Sequence, residues 1–181
     1  MSELIMIIRH GEKAMPEGPM VGVDRSGNTD PHSLNVRGWE RAGALVGFFA
    51  WPHLQGIATP QHLYAPRPTS ETPSKRPAQT LESLAARLGV ALSTAYEQNE
   101  QEALWRELQG VEGVALVAWE HKSIIKLANL IMGGDDQTPQ DWPDDRFDVV
   151  WRFARRGSGD WRFSQVPQCL LAGDSPIAIA G

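Results

Sequence analysis

Two short apolar runs, at residues 4–8 (LIMII) and 114–119 (VALVAW), constrain the fold of this chain more than any other feature. Each is too short for a stable helix, and neither contains a polar residue that would mark a side facing water. Strands of this kind need cover on both faces, which helices packed above and below a mostly parallel sheet provide. The sequence between the runs supplies those helices. Asn35 stands where it would cap a helix over 36–50, whose inward face collects Trp39, Ala42, Leu45, Val46 and Phe49 at three- and four-residue spacing. A second helix over 76–88 turns Leu81, Leu84, Ala85 and Leu88 inward, with strands expected at 62–65 and 91–94 on either side of it. Asn99-Glu100-Gln101-Glu102 has the form of a capping box that opens a helix to about 108. Another helix is expected from 122 to 132, stopping at Gly133-Gly134.

The last third changes character. Residues 147–154 and 160–166 alternate apolar and polar side chains around Arg155-Arg156-Gly157-Ser158-Gly159, the pattern of an antiparallel hairpin. The expected fold is therefore α/β, a three-layer α/β/α sandwich with a mostly parallel central sheet and a C-terminal antiparallel hairpin at its edge. Residues 1–181 are read as a single domain with loops at about 12–33, 66–74 and 133–145.

Composition narrows the function classes. Seventeen Lys and Arg against 22 Asp and Glu leave a formal charge of −5, which argues against a protein that coats nucleic acid or an anionic membrane. No apolar run approaches the roughly 18 residues that span a bilayer. The run at 4–8 follows Glu3 and ends in Arg9-His10, so it reads as a strand rather than a leader, and the simplest expectation is a cytoplasmic protein. Cys169 is the single cysteine, which rules out an intrachain disulfide and a cysteine-based metal site. His32, His53 and His62 have no metal-ligand spacing and read as structural or surface residues, so no cofactor or metal is expected.

Ligands of open α/β sheets bind beyond the carboxyl ends of the strands. Past the first strand stands Arg9-His10-Gly11-Glu12; past the second, a loop leads to Ser74-Lys75-Arg76; past the third comes Tyr96-Glu97; past the fourth, Glu120-His121-Lys122. Two histidines, two arginines and several carboxylates thus converge on one edge. Such a set suits phosphoryl transfer. A neutral imidazole can take up a phosphoryl group covalently, guanidinium forks can bind its equatorial oxygens, and a carboxylic acid can protonate the leaving oxygen.

These segments resemble the histidine phosphatase (phosphoglycerate mutase-like) superfamily. Ile7-Ile8-Arg9-His10-Gly11-Glu12 is similar to its strand followed by RHG, and Leu34-Asn35-Val36-Arg37-Gly38-Trp39-Glu40-Arg41-Ala42 to its first helix. Arg76-Pro77-Ala78-Gln79-Thr80 is similar to the segment that supplies a second phosphate-binding arginine, and Val117-Ala118-Trp119-Glu120-His121 to the strand that delivers a second histidine. The resemblance implies His10 as phospho-acceptor, Arg9 and Arg76 as phosphate clamps, and His121 as the second pocket histidine. Glu120 and Lys122 depart from the small residue and the glycine usual beside that histidine, and the Pro-rich loop before Arg76 makes Arg67 a second candidate for the clamp.

For the general acid, Glu97 is preferred because it follows the strand whose end carries the acid in phosphoglycerate mutase-like members, with Glu120 as the rival. The function implied is a phosphomonoesterase acting through phosphohistidine on a small phosphorylated substrate. A phosphomutase and a weakly catalytic phospho-ligand-binding member are the alternatives. The acidic run Asp135, Asp136, Asp141, Asp144, Asp145 reads as a solvated loop, placed on the far side by the length of the preceding helix. Met15, Met20, Val21 and Val23 are expected to form apolar cover over the substrate.

Overall fold

The computed structural model describes residues 2–14, 20–156 and 159–181. Met15 of the expected apolar cover, and Gly157 and Ser158 of the expected hairpin turn, lie outside them. Six strands form one sheet in the order β3-β2-β4-β1-β5-β6. In chain order the elements are β1 (Ser2–Arg9), α1 (Val36–Ala50), β2 (His62–Tyr64), α2 (Arg76–Leu88), β3 (Leu92–Ser93), α3 (Gln101–Gly110), β4 (Gly113–Trp119), α4 (His121–Met132), β5 (Val149–Arg156) and β6 (Asp160–Pro167). The first four strands of the sheet order pair in parallel, while β5 runs antiparallel to both β1 and β6. The chain is thus a mixed α/β sandwich whose hairpin closes one edge, as expected.

The two apolar runs occupy the centre of the sheet, with Ile5 opposite Ala115 and Ile7 opposite Val117. Their side chains alternate between two cores. Ile5, Ile7, Val117 and Trp119 pack with Leu104 and Leu108 of α3 and Ile124, Leu127 and Ile131 of α4. Met6, Ile8, Leu116 and Ala118 pack with Leu45 and Phe49 of α1 and Leu81 and Leu84 of α2 on the other face. Both faces of each run are dry, which is why neither could carry a polar residue. No helix among the described residues is long and apolar enough to cross a membrane.

Four local expectations are corrected. The sequence at 99–102 does not form a capping box: Glu100 precedes α3 without a side-chain bond to the helix, and its Oε2 accepts the Glu97 N–H instead. The helix α4 opens at His121, one residue early, because Glu120 is its N-cap and accepts the Ser123 N–H. The third strand shrinks to two residues. The first strand of the hairpin begins at Val149, which leaves Phe147 and Asp148 in the loop before it.

Candidate active site

The carboxyl ends of β1 and β4 lie side by side, and the His10 N–H donates to the Trp119 carbonyl at 3.1 Å. That bond continues the ladder one residue past the sheet and fixes His10 beside the start of α4, where His121 stands. Helix α1 is pressed against the turn that follows. A Cβ on Gly38 would fall 2.4 Å from the Glu12 carbonyl oxygen, and one on Gly11 would fall 2.9 Å from that of Gly38. Both positions require the bare backbone for this approach, which explains the glycine in each motif.

Helix α2 is tied in by its own motif residues. The Gly11 N–H donates to Thr80 Oγ1, which in turn donates to the Arg76 carbonyl, both at 2.8 Å. Gln79 accepts the Leu34 N–H and donates to Ser33 Oγ. Arg76, at the first position of α2, is thereby held over the same edge as His10.

His10 is buried, and its Nδ1 lies 2.7 Å from the Gly11 carbonyl. A carbonyl only accepts, so Nδ1 carries the proton and Nε2 keeps its lone pair. Burial, followed by the fields of Arg76, Arg9 and Lys13, disfavours the imidazolium and lowers the pKa to about 3. The ring is therefore neutral across the physiological range, which is the form that can attack phosphorus. A buried histidine held neutral weakens the fold as the pH falls, because below its ordinary value the unfolded chain takes up a proton that the native state refuses. Wild-type stability should consequently fall from about pH 6.5 toward pH 3 in part through His10. His10→Gln cannot titrate, so thermal melts should show its deficit against wild type shrinking between about pH 7 and pH 5. A constant gap would contradict the assigned protonation state.

Arg9 is fully buried at the end of β1. One of its terminal nitrogens, Nη1, donates to the carbonyls of Pro143, Asp144 and Arg146 at 2.9–3.1 Å. The guanidinium also stacks on the Phe147 ring at 3.9 Å. Its Nε and Nη2, together with Arg76 Nε, are buried donors without a protein partner. Desolvation lowers the Arg9 pKa to about 10, and burial lowers that of Arg76 as well, yet both remain charged at neutral pH. Buried, cationic N–H groups without an acceptor are costly unless a ligand supplies one.

His121 is buried between two carboxylates. Its Nδ1 lies 2.7 Å from Glu120 Oε1 without hydrogen-bond geometry, and its Nε2 lies 2.8 Å from Asp144 Oδ1. Burial would raise the Glu120 pKa, but His121 and the start of α4 outweigh it and bring it to about 2. The Glu97 carboxylate is ion-paired with Arg67 at 2.9 Å and is about two-fifths exposed. Arg67 is thereby committed to Glu97 and to the Ala95 carbonyl.

All five aspartates of the acidic run are exposed, as expected of a solvated loop, but its last two are not on the far side. Asp144 touches His121, and Asp144 and Asp145 line a cavity of about 280 Å³ with Glu12, Lys13, Met20 and Phe147. The reason is topological. In the antiparallel register of β5 with β1, Ile8 faces Val150, so the chain that α4 carried away from this edge must return to it before β5 begins. Of the expected apolar cover, Met20 reaches the cavity, whereas Val23 pairs with Thr29 in the loop. Lys75, the residue before Arg76, is bound to Asp30. Phe147 and Asp144 had no motif to announce them. Among the described residues there is no cluster of three side chains suited to holding a metal ion.

No protein-family model and no sequence among the curated proteins matches this chain. Solved structures do. The protein histidine phosphatase SixA complexed with tungstate superposes with a TM-score of 0.54 at 16% identity, over 92% of this chain and 97% of that one. Bacillus stearothermophilus YhfR gives 0.57 at 12% identity, over 97% and 98%. A mycobacterial glucosyl-3-phosphoglycerate phosphatase with inorganic phosphate gives 0.53 at 15% identity, over 90% and 95%. The fold of this chain is thus that of the histidine phosphatases.

Proposed function

We propose that the chain is a phosphomonoesterase that works through a phosphohistidine at His10. The observation that carries this reading is a neutral, buried imidazole with a free Nε2, set among guanidinium N–H groups that have no protein acceptor. Arg9 Nε and Nη2 and Arg76 would bind the equatorial phosphoryl oxygens, and His121 would add a donor as charge builds up on them. The similar structures include complexes with tungstate and with inorganic phosphate, both tetrahedral oxyanions. A small monoester suits the site better than a polyanion, because the adjoining cavity, which His10, Arg9, Arg76 and His121 do not themselves line, carries Asp144 and Asp145 in its wall. A cytoplasmic setting suits the exposed free thiol of Cys169.

The test is hydrolysis of p-nitrophenyl phosphate and of a panel of small phosphomonoesters, with and without EDTA. Turnover that survives chelation is expected, since two arginines and two histidines supply the positive charge that a metal ion would otherwise bring. Tight phosphate binding without turnover would instead favour a phospho-ligand-binding protein. Loss on chelation, restored by Zn²⁺ or Mg²⁺, would overturn the metal-free mechanism.

A further inference from the structure

We infer that Asp144 is the group that protonates the leaving oxygen and then deprotonates the attacking water; this rests on the reading of His10 as phospho-acceptor. Three observations converge on it. The backbone of Asp144 is fixed to the phosphate clamp, because its carbonyl accepts from Arg9 Nη1 at 2.9 Å. Its side chain is free to move, being 81% exposed although it touches His121 Nε2 at 2.8 Å. It also lines the cavity beside Phe147, whose ring lies 6.1 Å from that of His10 and where the organic part of an ester would sit.

Four other carboxylates are already employed, and Asp145, which lines the same cavity, has no ion pair with His121 among the described residues. Glu120 caps α4 with Oε2 and faces His121 Nδ1 with Oε1. Glu12 is enclosed by Arg37 and Arg41, Asp148 by Arg146 and the Ser175 N–H, and Glu97 is paired with Arg67.

In the free protein Asp144 occupies the donor of His121 that a phosphoryl oxygen needs. An arriving phosphate takes over that donor and displaces the carboxylate. The dianion then stands beside the carboxylate, and like charge at short range favours its protonated form. Displacement thus converts an exposed carboxylate into an acid next to the ester oxygen. In the first step His10 Nε2 bonds to phosphorus and the P–O bond to the alcohol breaks. The electron pair stays on the leaving oxygen, which takes the proton of Asp144 and departs as the alcohol. In the second step water attacks phosphorus, Asp144 accepts its proton, and the electron pair of the P–N bond returns to Nε2. Phosphate is released and Asp144 is protonated again.

The experiment compares two esters in wild type and Asp144→Asn. Glycerol phosphate has an alkoxide leaving group that needs a proton, whereas p-nitrophenolate leaves without one. The variant should lose about 10²–10³-fold in kcat/KM on glycerol phosphate but less than about threefold on p-nitrophenyl phosphate. Retained kcat/KM on the second ester, which reports the first step alone, also shows that the variant is folded. A parallel loss on both esters, or no loss on either, overturns the assignment of Asp144 and leaves phospho-His10 standing. If wild type hydrolyses neither ester, the phospho-His10 reading falls and this inference falls with it.

Discussion

Replacing His10 with alanine should lower kcat by on the order of 10⁴-fold or more, the loss expected when the nucleophile of a covalent mechanism is removed. Affinity for inorganic phosphate should change much less, because the donors that hold it belong to Arg9, Arg76 and His121 rather than to His10. The split between the two quantities is the diagnostic. An imidazole that merely held the phosphate would weaken binding and turnover together. Rapid quench of wild type with labelled substrate should trap a phosphoenzyme that is stable in alkali and labile in acid, and the variant should yield none. A His10→Ala variant with undiminished turnover would falsify the covalent role.

The fold was legible because its two central strands are apolar without interruption. In the structure their alternate side chains enter the α3–α4 core and the α1–α2 core, so the absence of polar positions was a direct record of the three-layer arrangement. Helix ends were harder to read, since capping depends on which of several side chains reaches a given N–H. Asn99 and Glu102 had the residue types for a capping box, yet it is Glu100 that precedes α3, and its carboxylate accepts the Glu97 N–H.

The candidate site was legible where chemistry sits within a residue or two of a strand end, as with Arg9, His10 and His121. It was opaque where partners are distant in sequence. Asp144 meets His121 across a helix and its return loop, and Asp174 meets Arg41 across 133 positions. One signal for the first lies in the hairpin. An antiparallel hairpin pairing with a strand in mid-sheet obliges the preceding loop to return to the edge from which α4 departed, and that condition alone brings the end of the acidic run, Asp144 and Asp145, to the site.

Removing Arg41 should produce the largest loss of stability of any single change near the site. Its guanidinium is almost fully buried and is shared between two acids that are nearly as buried. Three bonds reach Glu12, two reach Asp174, and one reaches Gln168. Burial alone would lower the Arg41 pKa, but the bonds to Asp174 and Glu12 outweigh it and raise it. Burial likewise would raise the Asp174 pKa, but Arg41 and the backbone N–H groups bring it to about 2. Arg41→Ala leaves both carboxylates with the half-buried Arg37 as their remaining ion-pair partner among the described residues, at 3.2 and 3.5 Å. Breaking a buried pair from one side costs about 3–5 kcal/mol, which for a chain of this size corresponds to a Tm lower by roughly 6–20 °C. The pH dependence has a definite sign. Asp174 contributes stability above its ordinary value of 3.8 that is lost as the pH falls through about 2, and the variant, deprived of the cation, holds that proton more readily. The Tm gap between Arg41→Ala and wild type should therefore be widest near neutrality and narrow as the buffer approaches about pH 4. A gap under about 2 °C at neutral pH would show that Arg37 alone neutralises the pair, and that Arg41 does not hold the Glu12 turn against α1.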